Sequence, residues 1–154
     1  MDLILWRHAE AEPGEPDLGR KLTGKGEKQA RRIAEWLHAH LPDTTRILVS
    51  PAARAQQTAR ALAELGQRKL RTVESIAPGA GVDDILAAAG WPDARQPVLI
   101  VGHQPTLGWV VGRLLTGAQA GWTVRKGAVW WLQARERDGE AQVVLRAVIN
   151  PDLI

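Results

Sequence analysis

Apolar positions along the chain form short unbroken runs separated by segments of helical period. Leu3-Ile4-Leu5-Trp6, Ile47-Leu48-Val49 and Val98-Leu99-Ile100-Val101 are continuous apolar stretches, the pattern of strands buried on both faces. Between the first two, Ala30, Ile33, Ala34, Leu37 and Leu41 recur at helical spacing, which predicts a helix from about Thr23 to Leu41 stopped by Pro42. Residues 9–22 are polar and carry Pro13, Gly14 and Pro16, so they read as a loop. Ser50-Pro51 reads as an N-cap followed by proline at the first helical position, opening an Ala-rich helix to about Leu65. Thr72-Val73 reads as a short strand, and Val82, Ile85, Leu86 and Ala89 as a short helix ended by Gly90 and Pro92. Pro105 starts a further helix carrying Leu107, Val110, Val111, Leu114 and Leu115. Two late runs, Ala128 to Ala134 and Gln142 to Ile149, flank Asp138-Gly139, the turn chemistry of an antiparallel hairpin. Strands alternating with helices predict an α/β fold: a three-layer α/β/α sandwich with a mainly parallel central sheet and an antiparallel C-terminal hairpin. No repeat, low-complexity tract or shift in composition divides residues 1–154, so one domain is expected.

Composition narrows the chemistry. The chain has no Cys and no Tyr, which removes disulfides, thiolate metal sites, cysteine nucleophiles and tyrosyl chemistry. The seven Trp are its only aromatic residues besides four His. Met1-Asp2 leads straight into a strand-like run, without the basic and long apolar regions of a signal peptide. No apolar run approaches the ~20 residues needed to span a bilayer. A soluble cytoplasmic protein, not associated with membranes, is the expectation. The 20 basic and 17 acidic residues give a formal charge of +3. They are interspersed, and even the densest basic segment (Arg20, Lys21, Lys25, Lys28, Arg31, Arg32) lacks the aromatic interleaving or motif of a nucleic-acid binder. That segment reads as solvated surface, and no nucleic-acid partner is expected. Mild positive charge favours a phosphorylated or acidic partner.

Three polar groups stand at equivalent places in this plan. Arg7-His8 follows the first strand, Ser50 to Arg54 follows the second and Gly102-His103 follows the fourth. Open parallel sheets bind ligands outside the carboxyl ends of their strands. Two arginines, two histidines and two helix N-termini should therefore face one small volume. Such a volume suits a dianionic phosphoryl group, because arginine donates planar forks to its oxygens and helix N-termini add amide donors.

The same residues carry a family resemblance. Leu5-Trp6-Arg7-His8-Ala9-Glu10-Ala11 resembles the opening motif of the histidine phosphatase superfamily, which includes the cofactor-dependent phosphoglycerate mutases. Leu22-Thr23 with Gly26 and Gln29-Ala30 is similar to the next block of that family, and Leu48-Val49-Ser50-Pro51 with Arg54, Gln57 and Thr58 to the one after. Val101-Gly102-His103 resembles the second-histidine block, and Lys126-Gly127-Ala128 falls where the late strand begins. The short chain and the Arg-His-Ala-Glu variant look most like the bacterial SixA-type phosphohistidine phosphatases. Position 9 departs from the usual Arg-His-Gly: alanine packs there unless the backbone needs a positive φ.

The resemblance implies a phosphoglycerate mutase-like fold and a role for each site residue. His8 would be the nucleophile, transiently phosphorylated, and Arg7, Arg54 and His103 would hold the phosphoryl oxygens as catalytic and substrate-binding groups. No metal and no cofactor is implied. Larger relatives take their leaving-group acid from the segment after the third strand, which makes Glu74 the candidate here, with Glu10, Glu12 and Asp17 as other carboxylates able to approach. Only about thirty residues, Gly66 to Gln96, separate the second helix from the fourth strand. A cap so small leaves the pocket open to a phosphorylated side chain on a folded protein. The expected function is a phosphohistidine phosphatase acting in signal transduction on a phosphotransfer domain or phosphocarrier. The alternatives are a phosphomonoesterase of sugar or metabolite phosphates and a non-catalytic phosphate-binding module. A monomer is expected.

Other signals are set aside. Gly19 to Lys25 fits most of a phosphate-binding loop, but Gly26 stands where Ser or Thr is required and no strand precedes it. His8-Ala9-Glu10 is also found in zinc deaminases, whose cysteine ligands are missing here. His38 and His40 lie two apart near a helix end, a placement that fits the helix dipole better than a metal. Trp109, Trp130 and Trp131 read as core. Trp122 reads as core support or as a groove wall.

Overall fold

The computed structural model describes residues 1–154. Six strands form one sheet: β1 (Asp2–Arg7), β2 (Arg46–Val49), β3 (Leu70–Thr72), β4 (Val98–Gly102), β5 (Val129–Arg137) and β6 (Glu140–Ile149), in the spatial order β3-β2-β4-β1-β5-β6. The first four run parallel, and β5 and β6 add an antiparallel hairpin beside β1. The four helices are α1 (Gly24–His40), α2 (Ala53–Gly66), α3 (Val82–Ala89) and α4 (Thr106–Thr116).

Alternation along each strand divides the apolar side chains between two faces. Ile4, Trp6, Ile47, Val49, Leu99 and Val101 pack with Ile33 and Leu37 of α1 and with Ala55, Ala59 and Leu62 of α2. Leu3, Leu5, Leu48, Val98 and Ile100 pack on the other face with Val82 and Ile85 of α3 and Leu107 and Val110 of α4. Helices on both faces of a mostly parallel sheet make the α/β/α sandwich, and each fully buried Leu, Ile or Val contributes roughly 1.5–3 kcal/mol to it.

The hairpin turns at Asp138 and Gly139, both at positive φ (53° and 79°), as a two-residue turn of this chemistry requires. Gly90 ends α3 in the left-handed conformation (φ 71°), and Thr23 caps α1, its hydroxyl accepting from the Gly26 N–H at 2.9 Å. Gly26 itself admits no side chain, because a Cβ there would stand 1.9 Å from the Glu10 carbonyl oxygen. The first turn of α1 is thus seated directly on the backbone that follows His8. Gly108 in α4 is equally tight, since a Cβ there would stand 1.8 Å from the Trp122 carbonyl oxygen, and the loop before β5 lies along the helix.

Several boundaries differ from the sequence expectation, the hairpin strands among them, which extend to Arg137 and back to Glu140. Helix α2 begins at Ala53, with Ala52 as its cap, rather than at Ser50-Pro51. The Ser50 hydroxyl is engaged elsewhere, accepting from Ala52 N–H at 3.2 Å and lying 2.7 Å from the His103 ring. The third strand is Leu70–Thr72, beginning two residues and ending one residue before Thr72-Val73, and the Val73 amide closes onto the end of β2 at Val49. Pro105 takes the cap position of α4 and the helix proper starts at Thr106.

Candidate active site

The parallel strands set the spacing of the site. Arg7 at the end of β1 is the register partner of Gly102 at the end of β4, so His8 and His103 leave neighbouring strands side by side. Their ring centroids are 5.2 Å apart, close to the ~4.8 Å between adjacent strands. Two backbone bonds clamp His8: its N–H donates to Gly102 O and its carbonyl accepts from Gly127 N–H, each at 3.1 Å. One strand further over, β2 delivers Ser50, whose amide donates to Val101 O at 3.1 Å. The first turn of α2 then delivers Arg54.

The hydrogen bonds of His8 fix its tautomer. Nδ1 lies 2.7 Å from the Ala9 carbonyl oxygen, which can only accept, so Nδ1 carries the proton. Nε2 is therefore a lone-pair nitrogen, and it accepts a long bond from Arg54 Nε at 3.4 Å. Burial pushes the His8 pKa down to about 4, with Arg54 and Arg7 adding to the depression and the Ala9 carbonyl opposing it. His103 is pushed down to about 3, first by burial and then by His8 and Arg54. Both rings are neutral at pH 7, and a neutral imidazole nitrogen is a competent nucleophile.

His103 engages Ser50 Oγ through Nε2, while its Nδ1 is buried without a partner. Ser50 Oγ accepts from Ala52 N–H and has its own proton to offer His103 Nε2; in that arrangement Nδ1 is the protonated, unpartnered nitrogen. Arg7 donates Nη1 to the Val124 carbonyl at 3.0 Å, and its Nε is likewise buried and unpartnered. Buried donors without partners are costly, of order 1–3 kcal/mol each, unless something at the site accepts from them. An anion would, and burial also pulls the Arg7 pKa down, an effect that a bound anion reverses.

Asp17, Arg20 and Arg54 form a second layer. Arg54 donates Nη1 to the Asp17 carbonyl at 2.8 Å and Nη2 to its carboxylate at 3.2 Å. Arg20 bonds the other carboxylate oxygen at 3.1 Å. These bonds, Arg20's first, hold the Asp17 carboxyl below the usual carboxylate range, so Asp17 is ionised at neutral pH and orients arginine rather than delivering a proton. Ala9 is fully buried beside Leu22 and Ala30 and has no positive φ, so alanine sits there without strain. Its amide donates to Thr58 Oγ1 at 3.0 Å, which ties the loop to α2.

The remaining candidates separate cleanly. Glu74 opens a 3₁₀ turn just after β3, at the same edge of the sheet; it is exposed and makes no side-chain hydrogen bond or ion pair. Glu10 accepts from Thr23 Oγ1 at 2.9 Å, and Glu12 is exposed. His40 donates Nδ1 to the Trp36 carbonyl and stacks on its ring, and no group of three or more His, Asp or Glu is arranged to hold a metal ion. Trp130 and Trp131 are buried and Trp109 half-buried, while Trp122 stands edge-on to Trp130 as a support. Sequence reasoning missed Ser50 as the partner of His103 and Arg20 as the partner of Asp17. The Asp17–Arg20 spacing of three was the available signal for the second; for the first, the helix-cap reading concealed it.

Both buried histidines protonate far more readily in the unfolded chain than in the folded one, because their folded pKa values lie below the ordinary 6.5. The unfolded state then binds more protons, so stability is full above pH 6.5 and is lost as pH falls from there toward 4. The slope contributed is at most about 1.4 kcal/mol per pH unit for each ring. Urea midpoints measured across this window should fall with pH, and less steeply in His103→Asn than in the wild type. Parallel curves for the two proteins would contradict it.

Two neutral histidines and two arginines thus gather at the carboxyl edge of the parallel strands, an arrangement suited to binding and transferring a phosphoryl group. Residues 3–77 match the profile of the Histidine phosphatase superfamily (branch 1). The chain is 35% identical over 127 residues to the phosphohistidine phosphatase SixA homolog of Haemophilus influenzae, covering 74% of this chain and 77% of that protein. It is 30% identical over 125 residues to phosphohistidine phosphatase SixA of Escherichia coli, covering 76% of each. This chain belongs to the histidine phosphatase superfamily and is SixA-like within it. Among solved structures, a protein histidine phosphatase SixA complexed with tungstate superposes with a TM-score of 0.80 at 24% identity, over 99% of both chains. A mycobacterial glucosyl-3-phosphoglycerate phosphatase superposes with a TM-score of 0.65 at 20% identity, over 85% of this chain and 89% of that one. At these identities the two structures share the fold, and the fold alone does not choose between protein and small-molecule substrates.

Proposed function

We propose that this protein removes the phosphoryl group from phosphohistidine on another protein, a phosphotransfer domain or phosphocarrier, and acts as one histidine phosphatase domain with a minimal cap. The observation that carries the reading is the small cap: between Gly66 and Val98 the chain forms only β3, a 3₁₀ turn and the eight-residue α3. A folded partner needs the access that a small cap leaves, whereas a small ester gains from enclosure. The SixA names of its relatives support the same substrate.

The proposed reaction has two steps. His8 Nε2 attacks phosphorus in line, the N–P bond to His8 forms, and the bond between phosphorus and the substrate imidazole breaks. The leaving imidazole takes a proton from water, or from Glu74 where a donor is needed. Water then attacks the phosphorus on His8, loses its proton to solvent, and the N–P bond breaks to release inorganic phosphate and restore Nε2. Arg7, Arg54 and His103 Nδ1 hold the equatorial oxygens, where phosphoryl transfer demands positioning and charge stabilisation above all. A histidine-phosphorylated phosphotransfer domain should be hydrolysed with kcat/KM at least about tenfold above any of a panel of sugar and metabolite phosphates. The reverse order would make the protein a small-molecule phosphomonoesterase.

A further inference from the structure

A polar groove of about 410 Å³ opens beside the phosphoryl site and shares Arg7 with it. Arg7, Lys25, Arg125 and Lys126 line it together with Glu10 and Asp152. That is four cations against two carboxylates, an excess of two within a chain whose whole formal charge is +3. The groove therefore holds most of the molecule's positive excess. Asp152 is engaged by Arg125 at 3.7 Å and Glu10 by Thr23, while Lys25 and Lys126 are exposed and pair with no carboxylate. Lys25 sits in the first turn of α1, where the helix dipole disfavours a cation. Folding alone gives no reason for that charge there.

We propose that this groove docks the acidic surface flanking the phosphohistidine of a protein substrate. It rests on the function proposed above and adds what the partner must carry: carboxylates a few ångströms from the phosphorylated side chain. The fit is one of charge. None of the lining residues is a hydrophobic one that would hold a sugar or base ring, and the long side chains of Lys25, Arg125 and Lys126 reach outward to a surface. The groove is also fixed to the chemistry, because Gly127, next to Lys126, bonds the His8 carbonyl and Val124, next to Arg125, bonds Arg7.

The test uses phosphohistidine peptides of equal length whose flanks are all Glu, all Ala or all Lys, with phosphoramidate as a small reference substrate. At low ionic strength the Glu-flanked peptide should exceed the Lys-flanked one in kcat/KM by about tenfold or more, mostly through KM, and the gap should close in high salt. Lys25→Glu combined with Lys126→Glu should reverse the order, and the neutral pair Lys25→Gln with Lys126→Gln should abolish it. Phosphoramidate hydrolysis within twofold of wild type shows that the phosphoryl site is intact in each variant. Equal rates for all flanks, or a Glu preference that survives in both variants, overturns the groove and leaves the function standing. Failure of the wild-type protein to hydrolyse any phosphohistidine peptide while it hydrolyses phosphoramidate overturns the proposed function, and the groove's role with it.

Discussion

His8→Ala should lower the release of phosphate from a phosphohistidine substrate by about four orders of magnitude or more. Loss of a nucleophile that forms a covalent intermediate removes the reaction route itself, and effects of this size are characteristic of such groups. The variant should still fold. The two bonds that clamp residue 8 are backbone bonds, to Gly102 and from Gly127, and alanine retains both. His8 is 8% exposed in the native protein, and the substitution also deletes a buried imidazole that must stay neutral. Acid-labile phosphoenzyme, trapped by rapid quench in the wild type, should be absent from the variant. Turnover within tenfold of wild type would place the nucleophile elsewhere.

Arg54→Ala carries the second largest expected effect, a loss of about 100- to 1000-fold in kcat. The estimate follows from the cost of removing one preorganised donor to charge developing in a transition state. Arg54 is nearly buried and every donor nitrogen of its guanidinium is directed, Nε to His8 and the other two to Asp17. A phosphoryl group arriving at His8 Nε2 would meet a guanidinium already held beside it, with Nε 3.4 Å from that nitrogen. Arg54→Lys keeps the charge but not the fork, so it should recover only part of the loss. Without the arginine, the Asp17 carboxylate faces the incoming phosphate with Arg20 as its only ion-pair partner, and the repulsion adds to the deficit. Asp17→Asn in the Arg54→Ala background should therefore restore some kcat. Single-turnover rates on the phosphohistidine substrate measure both effects, and an Arg54→Ala enzyme within fivefold of wild type would contradict the assignment.

The parallel sheet and the meeting of Arg7, His8, Arg54 and His103 were legible because they rest on long-period signals. Unbroken apolar runs identify strands buried on both faces, and strand-helix alternation forces those strands to point one way, so whatever follows each of them gathers at one edge. What was not legible depended on single hydrogen bonds between distant segments. Ser50 carries the local chemistry of a helix cap, and nothing local shows that its hydroxyl lies against a ring 53 positions later. Arg20 sits in a basic stretch that resembles any solvated surface, and only the path of the loop carries Asp17 to Arg54. Lys25 was read in that same stretch; the groove it lines is completed by residues a hundred positions further on. Local pattern encodes elements, whereas these contacts depend on where loops close.

Register between β1 and β4 has a consequence for how the protein would lose activity. A slip of one residue between these strands would carry His103 about 3.3 Å from its place opposite His8, more than a hydrogen bond tolerates. Yet both strands lie mid-sheet beneath two helical layers, so such a slip cannot occur without dismantling the core. The segments beside the site are tied to it as well: Val124 and Gly127 bond Arg7 and His8, Asp17 bonds Arg54, and the Ala9 amide bonds Thr58. Lys25 and Lys126, exposed and paired with no carboxylate, are free of these ties, so exchanging them changes the charge offered to a partner while the distance between the two imidazoles stays fixed by the sheet.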